Sequence, residues 1–238
     1  MEFKIKSWVY LKVAIIVLAL LIVIDLAAIY STFVLGHPNA FGLIPRFRMD
    51  FESNVPTALA ALNIFLAALL LGGLAGATRS RAKIESRSWG ILCVVFAFLA
   101  LDELSTFHEL VDHAVGASQG VEDGFARLWI LPYAGIAVLV GIMSLRLLLR
   151  LPTRTRWNMV IAGLLYVAGA AGIEMVGGRY LESLGGVQNL GYALLTTAEE
   201  TLEFVGMILF VWTLLRHIEA TGLRLALVGG RSDTSEPG

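Results

Sequence analysis

Residues 191–215 read GYALLTTAEETLEFVGMILFVWTLL, an apolar segment of membrane-spanning length that carries Glu199, Glu200 and Glu203. A carboxyl group in the hydrocarbon of a bilayer costs roughly 3 kcal/mol on insertion scales, so such groups face one another, water or a cation rather than lipid. The i,i+4 and i,i+3 spacings to Glu203 place these carboxyls on one face of a helix. Carboxylates this close repel unless one holds a proton or a cation neutralises them. The segment therefore predicts a helix whose acidic face belongs to a buried site.

The whole chain has the composition of a membrane protein. Its 238 residues are 57% hydrophobic and only 16% charged, with a mean hydropathy of +0.77. Six stretches reach the roughly 20 mostly apolar residues that a spanning helix needs. They are residues 8–35, 56–77, 88–115, 127–149, 157–177 and 191–215. Because the connections are short, we predict an all-α, six-helix transmembrane domain over residues 1–228, followed by a polar, disordered cytoplasmic tail over residues 229–238.

The distribution of basic residues predicts the orientation of these helices. Of the 18 Lys and Arg residues, four (Arg46, Arg48, Arg127 and Arg179) fall on the side opposite the N-terminus, and the other fourteen fall on the N-terminal side. Loops rich in Lys and Arg stay in the cytoplasm. The pattern predicts that both termini are cytoplasmic, in a multi-pass protein of the bacterial inner (cytoplasmic) membrane.

Further acidic residues fall at a similar depth in other predicted helices. At about 1.5 Å of rise per residue, Asp102 lies roughly 20 Å from the inner face, and Glu199 to Glu203 lie roughly 12–18 Å below the outer surface. Glu174 also falls late in an outward-running helix. We therefore predict one buried, exoplasmic-facing site that binds a cation. Its candidate ligands are Asp102, Glu103, His108, Glu109, Glu174, Glu199, Glu200 and Glu203.

The outer part of the third predicted helix allows two interpretations. At about 100° per residue, Asp102, Thr106, Glu109 and His113 form one stripe, while Glu103 lies on another side of the helix. This stripe fits a ligand face. The polar run that follows fits equally well a helix that is leaving the membrane, with His108 as an interfacial histidine.

Two other polar features are interpreted as structural. The loop over residues 46–54 carries Arg46, Arg48, Asp50 and Glu52, and we favour a solvated loop over a polar lid on the acidic pocket. Asp25 stands alone in the first helix, where a single polar residue often bonds to a neighbouring helix. For the acidic cluster itself, the structural alternative is a buried, protonated hydrogen-bond network that holds the bundle together.

Three stretches of the chain carry a resemblance to other proteins. They are DFESNVPT at 50–57, LDELSTFHE at 101–109 and EETLEFVGM at 199–207. Together with the Trp-x-x-Pro-Tyr motif at the start of the fourth helix, they resemble a group of small bacterial multi-pass membrane proteins of uncharacterised function. The resemblance covers predicted helices two to six and implies this topology and the acidic site. It implies no reaction, and Ala58 departs from the aromatic residue that follows the Pro-Thr pair in that group.

A metal site is the first function that these residues indicate. Carboxylates and histidine from several helices of a bundle are the ligands of iron and manganese centres. The chain lacks the two Glu-x-x-His pairs of a di-iron site, so a single divalent metal ion of unknown identity is favoured. Such an ion can activate water or oxygen against a lipid-soluble substrate. Whether the protein is an enzyme stays open.

Two other functions remain as alternatives. Carboxyls in the membrane also serve proton- or cation-coupled transporters. The inner halves of the predicted helices are almost wholly apolar, however, and no inverted repeat is evident. The other alternative, which we place before a transporter, is an accessory subunit of a larger respiratory, photosynthetic or secretion complex, with the acids as a polar packing core. The expected partners are the lipid bilayer and either other membrane proteins or further copies of the chain. No basic run with interleaved aromatics suggests nucleic acid.

Overall fold

A computed structural model describes residues 6–80, 82–107 and 130–222, without the side chains of residues 130–133. Every regular element in these ranges is helical. The α-helices are α1 (Ser7–Phe33), α2 (Leu43–Phe47), α3 (Val55–Thr78), α4 (Lys83–Ser105), α5 (Ile130–Arg150), α6 (Thr153–Val167), α7 (Glu174–Ser183) and α8 (Leu190–Thr221). A short 3₁₀ turn, Ala40–Gly42, precedes α2, and a π-helical segment, Ala168–Ile173, joins α6 to α7.

Five helices in the described residues are long and apolar enough to cross a membrane. They are α1, α3, α4, the continuous helix Thr153–Ser183 and α8. Large apolar side chains cover their outer surfaces: on α1 alone, Ile16, Leu20 and Val23 are 59%, 56% and 64% exposed. Apolar surface of this extent is found where a protein faces lipid. The all-α membrane fold predicted from the sequence is therefore confirmed.

The predicted fourth segment, 127–149, corresponds to α5, which is helical from Ile130 to Arg150. Its role as a sixth span stays a prediction, as does the N-in, C-in topology. The predicted tail over residues 229–238 lies outside the described residues.

The central helix of the bundle is α8. Over its most apolar 18 residues, 56% of the residues are buried, against 17–39% in the corresponding stretches of the other candidate spans. Helices α1, α3 and α6 all pack on α8, and α3 also packs along α4. The ends of α1 fix its antiparallel direction on α8, because the backbone N–H and the hydroxyl of Ser7 both donate to the Glu219 carboxylate over 2.7 Å. At the other end, Thr197 Oγ1 donates to Asp25 Oδ2 over 2.6 Å. We call the end of the bundle that holds Asp25 and Thr197 the acidic end.

Two glycines allow α8 to approach α6 and the π-helical segment closely. A Cβ atom on Gly206 would lie 2.8 Å from both the carbonyl oxygen of Ala162 and the backbone nitrogen of Tyr166. A Cβ atom on Gly169 would lie 2.7 Å from the carbonyl oxygen of Glu199. Small residues permit such backbone contact between membrane helices. The contact brings the Tyr166 region of α6 against the acidic face of α8.

The third predicted helix is shorter at its acidic end than the sequence suggests. Thr106 adopts a left-handed conformation (φ 51°, ψ 39°) and ends α4 at Ser105, instead of continuing to residue 115. Hydroxyl side chains compete for helix carbonyls, and the Ser105 hydroxyl donates to the Leu101 carbonyl one turn earlier. The stripe that joins Asp102 and Thr106 to residues 109 and 113 on one unbroken helix is therefore wrong. Residues 108–113 themselves lie outside the described part of the chain.

Candidate functional site

One large cavity of about 1290 Å³ opens among α4, α5, the helix Thr153–Ser183, α8 and the loop before α3. This volume exceeds the roughly 300–1,000 Å³ of most small-molecule sites. Nine carboxyl residues line it: Asp50, Glu52, Asp102, Glu103, Glu174, Glu182, Glu199, Glu200 and Glu203. None of the described lining residues is a lysine, an arginine or a histidine. The cavity therefore concentrates carboxyl groups at the acidic end of the bundle.

The acidic face of α8 supplies three of these side chains, Glu199, Glu200 and Glu203, as the sequence predicts. Each is half-buried and faces the cavity. The Tyr166 side chain lies close to the Glu203 carboxyl. This contact follows from the close crossing of α6 and α8, since the Tyr166 backbone lies directly against Gly206.

The last turn of α4 brings two more predicted carboxyls to the same place. Asp102 is buried and Glu103 is half-buried, and both line the cavity. The Glu103 carboxyl lies within electrostatic range of those of Glu200 and Glu203. Neighbouring residues of a helix differ by about 100°, yet the cavity is wide enough to receive both. Glu103 therefore lines the predicted site together with Asp102, although the two residues lie on different sides of the helix.

The fifth predicted helix contributes Glu174, directly after the π-helical segment Ala168–Ile173. Single-turn π segments often occur at functional sites. Ala170, Ala171 and Glu174 all line the cavity, so this irregular stretch forms part of its wall. Six of the eight predicted site residues thus share one cavity. The other two, His108 and Glu109, lie outside the described residues.

The six carboxyls share a cavity without converging on a single point. Within the described ranges, no three His, Cys, Asp or Glu side chains are placed to hold a metal ion. To bind a metal ion, the glutamate side chains would have to turn toward it, which their several rotatable bonds allow. The arrangement as it stands surrounds a volume rather than a point.

Away from the carboxyls, the cavity continues as an apolar arm. We use this name for the part lined by α4, α5, α6 and α8 toward the opposite end of the bundle. Its side chains are almost wholly hydrocarbon, with Ser144 the polar exception among the described residues. The lining includes Leu92, Val95, Leu99, Val140, Leu147, Leu164 and Phe210. The cavity therefore has an acidic end and a long hydrocarbon end.

The loop before α3 closes part of the acidic end, and this was not predicted. Arg48 and Met49 are buried, and Met49, Asp50 and Glu52 line the cavity. The interpretation of residues 46–54 as a solvated loop is wrong for this stretch, although Arg46 and Glu52 are exposed. The charged residues of this short loop gave no sequence signal that would distinguish a solvated loop from a polar lid on the cavity.

Asp25 makes the predicted bond to a neighbouring helix, through Thr197 of α8, and it also holds this loop in place. Its side chain is 1% exposed, and its Oδ1 atom accepts a hydrogen bond of 2.9 Å from the Met49 backbone N–H. Arg48 Nε lies 3.5 Å from the same oxygen, a charge contact that is too long for a good hydrogen bond. The guanidinium donates instead to Asp50 Oδ2 over 2.7 Å. Arg48 therefore offsets the charge of Asp25 and of Asp50, a residue of the cavity wall.

The electrostatics of Asp50 reflect this position. Burial raises the pKa of the Asp50 carboxyl above its ordinary value, while the Arg48 guanidinium and a hydrogen bond with Thr196 oppose the shift. Desolvation disfavours the charged form of a carboxyl, and a nearby cation favours it. The loop thus adds a carboxyl whose charge depends on its Arg48 partner.

Taken together, the apolar helices and the carboxyl-lined cavity define a helical integral membrane protein. The profile of the family described as a domain of unknown function (DUF8692) matches residues 13–218, and the chain belongs to that family. No curated protein and no solved structure matches the chain.

Proposed function

We propose that the carboxyl cluster binds a cation inside the membrane. The observation that carries this proposal is the presence of nine carboxyl residues in one cavity whose described lining holds no basic side chain. Carboxyl groups that share one cavity cannot all be ionised in a medium of low dielectric constant without compensation. Arg48, which is not in the lining, compensates Asp50. Protons or a bound cation must compensate the other carboxylates, and a cavity of this size leaves room for the cation.

The cation predicted from the sequence is a divalent metal ion. Carboxylate oxygens are the ligands that Mg²⁺, Ca²⁺ and Mn²⁺ prefer. Glu103, Glu200 and Glu203 are close enough to interact electrostatically and are the core of the proposed ligand set. Asp102, Glu174 and Glu199 lie on the same cavity. His108 and Glu109 complete the set on sequence grounds.

The apolar arm supports a catalytic extension of this proposal. A metal ion at the acidic end could act as a Lewis acid or activate a water, and a lipid-soluble substrate could lie in the adjoining hydrocarbon-lined space. In this form the protein is a metal-dependent enzyme of the membrane. The residues that line both parts belong to one continuous volume, which is what such a reaction requires.

The alternative functions fit the cavity less well. A structural subunit that uses the acids as a polar packing core needs close packing, and protein interiors leave few voids larger than a water molecule. A cavity of about 1290 Å³ does not fit that role. A transporter needs polar groups along a path through the membrane, whereas the described lining of the apolar arm offers only Ser144.

The test is the metal content and the melting temperature of the purified protein in lipid nanodiscs, with and without chelator. A cation present at a hundred times its Kd adds about 2.7 kcal/mol of stability, so chelation should lower the melting temperature of the wild type. Glu203→Gln keeps the shape of the side chain and removes its charge, and it should abolish both the bound metal and the chelator effect. Glu85→Gln, a partly exposed residue near Arg150 at the opposite end of the bundle, should behave as the wild type.

Two results would contradict the metal proposal. One is a wild type that holds no metal and gains no stability from Mg²⁺, Ca²⁺ or Mn²⁺. The other is a Glu203→Gln variant that binds metal as tightly as the wild type. With neither metal nor a change in melting temperature in any variant, the protonated network becomes the better account.

A further inference from the structure

We propose that the ligand of the cavity is a long-chain amine, with its ammonium group among the carboxyls and its hydrocarbon chain in the apolar arm. This inference rests on the proposed cation site and assigns it an organic cation as occupant in place of the metal ion. It depends on the shape of the cavity, on the placement of the carboxyls and on the side from which the cavity opens.

The shape of the cavity matches an amphiphile. From Glu103 to Leu92, both on α4 and both in the lining, the axial distance is roughly 16 Å at the rise of an α-helix. This length is about half of the ~30 Å hydrocarbon core of a bilayer. Water is a poor occupant of such an apolar space, because it finds too few hydrogen-bond partners there and apolar cavities stay dry. A hydrocarbon chain is the occupant that removes this surface from water.

The placement of the carboxyls favours an organic cation over a bare metal ion. In the described part of the chain no three potential ligands are placed to hold a metal. The carboxyls instead come from α4, α7, α8 and the loop before α3, and they surround an open volume. An ammonium group carries its charge on a larger surface than a metal ion and can be neutralised by carboxylates around it. Tyr166 adds an aromatic ring to the same wall, and aromatic rings attract organic cations.

Among the described residues, the cavity opens toward the lipid along α5. Residues 134–139 of this helix are all exposed, although Ala134, Ile136 and Ala137 line the cavity. The buried residues of α5 are Ser144 and Leu147, near its far end. Helix α5 therefore packs on the bundle at one end and stands away from it toward the acidic end. A chain already dissolved in the bilayer can reach the apolar arm through this gap without crossing a polar surface.

Photolabelling in nanodiscs tests this inference. The probe is a trimethylammonium compound with a dodecyl chain that carries a diazirine at its middle, used at trace concentration, and labelled peptides are mapped by mass spectrometry. We expect labels on Val95, Leu99 or Phe210 in the apolar arm. Excess unlabelled dodecyltrimethylammonium should reduce them at least tenfold, and the same concentration of tetramethylammonium should not.

Paired variants locate the path. Ala137→Trp places a large ring on the cavity side of α5 and should reduce the labelling several-fold. Val138→Trp adds the same ring at the next position, which is 63% exposed and is not among the lining residues, and it should leave the labelling unchanged. Labels spread over lipid-facing residues of α1 such as Val23, with no effect of Ala137→Trp, would overturn the inference.

A comparison of probes with charged and neutral head groups tests this inference separately from the proposed function. A dodecyl maltoside carrying the same diazirine should label the arm at least tenfold less, and Glu203→Gln should remove the preference for the charged probe. If tetramethylammonium competes as well as the long-chain compound, or if only metal ions stabilise the protein, the amphiphile is wrong while the cation site stands. If charged and neutral probes label the arm equally, in the wild type and in Glu203→Gln alike, the ligand is not an amine and the carboxyls do not select it.

Discussion

Replacement of Asp25 should detach the loop that closes the acidic end of the cavity. Asp25→Ala removes the acceptor of the Met49 backbone N–H (2.9 Å) and of the Thr197 hydroxyl (2.6 Å). It also leaves Arg48, whose side chain is 2% exposed, with Asp50 as its remaining carboxylate in the described contacts. Removal of one partner from a buried ion pair typically costs about 3–5 kcal/mol, and we expect a loss of stability in that range.

Milder changes at the same place should give a graded series. Asp25→Asn keeps an oxygen acceptor but loses the charge, and hydrogen bonds to charged groups contribute about 1.5–3 kcal/mol, so its effect should be smaller than that of Asp25→Ala. Thr197→Val removes one hydrogen bond and should cost about 1 kcal/mol. Neutralisation of both ions, as in Asp25→Asn with Arg48→Gln, should recover part of the loss, because no uncompensated buried charge remains.

Two assays measure this series. Unfolding in mixed micelles gives the change in stability, and hydrogen exchange of the Met49 amide reports the opening of the loop itself. Since 1.4 kcal/mol corresponds to a factor of ten, a local loss of about 3 kcal/mol should speed that exchange roughly a hundredfold. Asp25→Ala with a stability change below about 0.5 kcal/mol, and with unaltered exchange at Met49, would show that Asp25 does not hold the loop.

Two further predictions concern the bundle. Gly206→Ala places a Cβ atom 2.8 Å from the Ala162 carbonyl oxygen and should destabilise the protein by about 1–3 kcal/mol. The control Gly163→Ala, with open space around the added atom, should leave the stability unchanged or raise it by up to about 1 kcal/mol. Equal melting temperatures for the two variants would refute the close crossing of α6 and α8. The topology is tested by reporter fusions at Gly238 and within residues 116–123, which should lie on opposite sides of the membrane; both reporters on one side would rule out the N-in, C-in arrangement.

The helices were predictable because their signal is local. Spans of about 20 apolar residues can be recognised without knowledge of their neighbours, and the predicted segments 8–35, 56–77 and 191–215 agree closely with α1, α3 and α8. The end of α4 was not predictable in the same way. It depends on a left-handed residue at Thr106, a conformation that β-branched residues rarely adopt.

The shared position of the acidic residues was predictable from the cost of charge in lipid. That argument placed Glu199, Glu200 and Glu203 at the same depth as Asp102 and Glu103, and the structure brings them to one cavity. The size of the cavity and the approach of Tyr166 to Glu203 depend on tertiary packing. A tyrosine in an apolar helix gives no sign of its partner.

The loop contribution could not be predicted, because its signal is divided between distant parts of the chain. The role of Asp25 in holding the loop is evident only from its contacts with Met49 and Thr197. These residues lie 24 and 172 positions away from it in the sequence. A single sequence shows these residues as isolated polar groups. Their pairing is a property of the folded bundle.

The most direct test of the central proposal is the ionisation of Glu203 with and without a cation. Infrared difference spectroscopy in nanodiscs detects the C=O stretch of a protonated carboxyl group, and Glu203→Gln identifies the part of that band that depends on Glu203. If the cluster binds a cation, addition of Mn²⁺ or dodecyltrimethylammonium should displace the proton and remove the Glu203-dependent band from the wild type. A band that persists unchanged with every cation tested would contradict the proposal and identify the cluster as a protonated hydrogen-bond network.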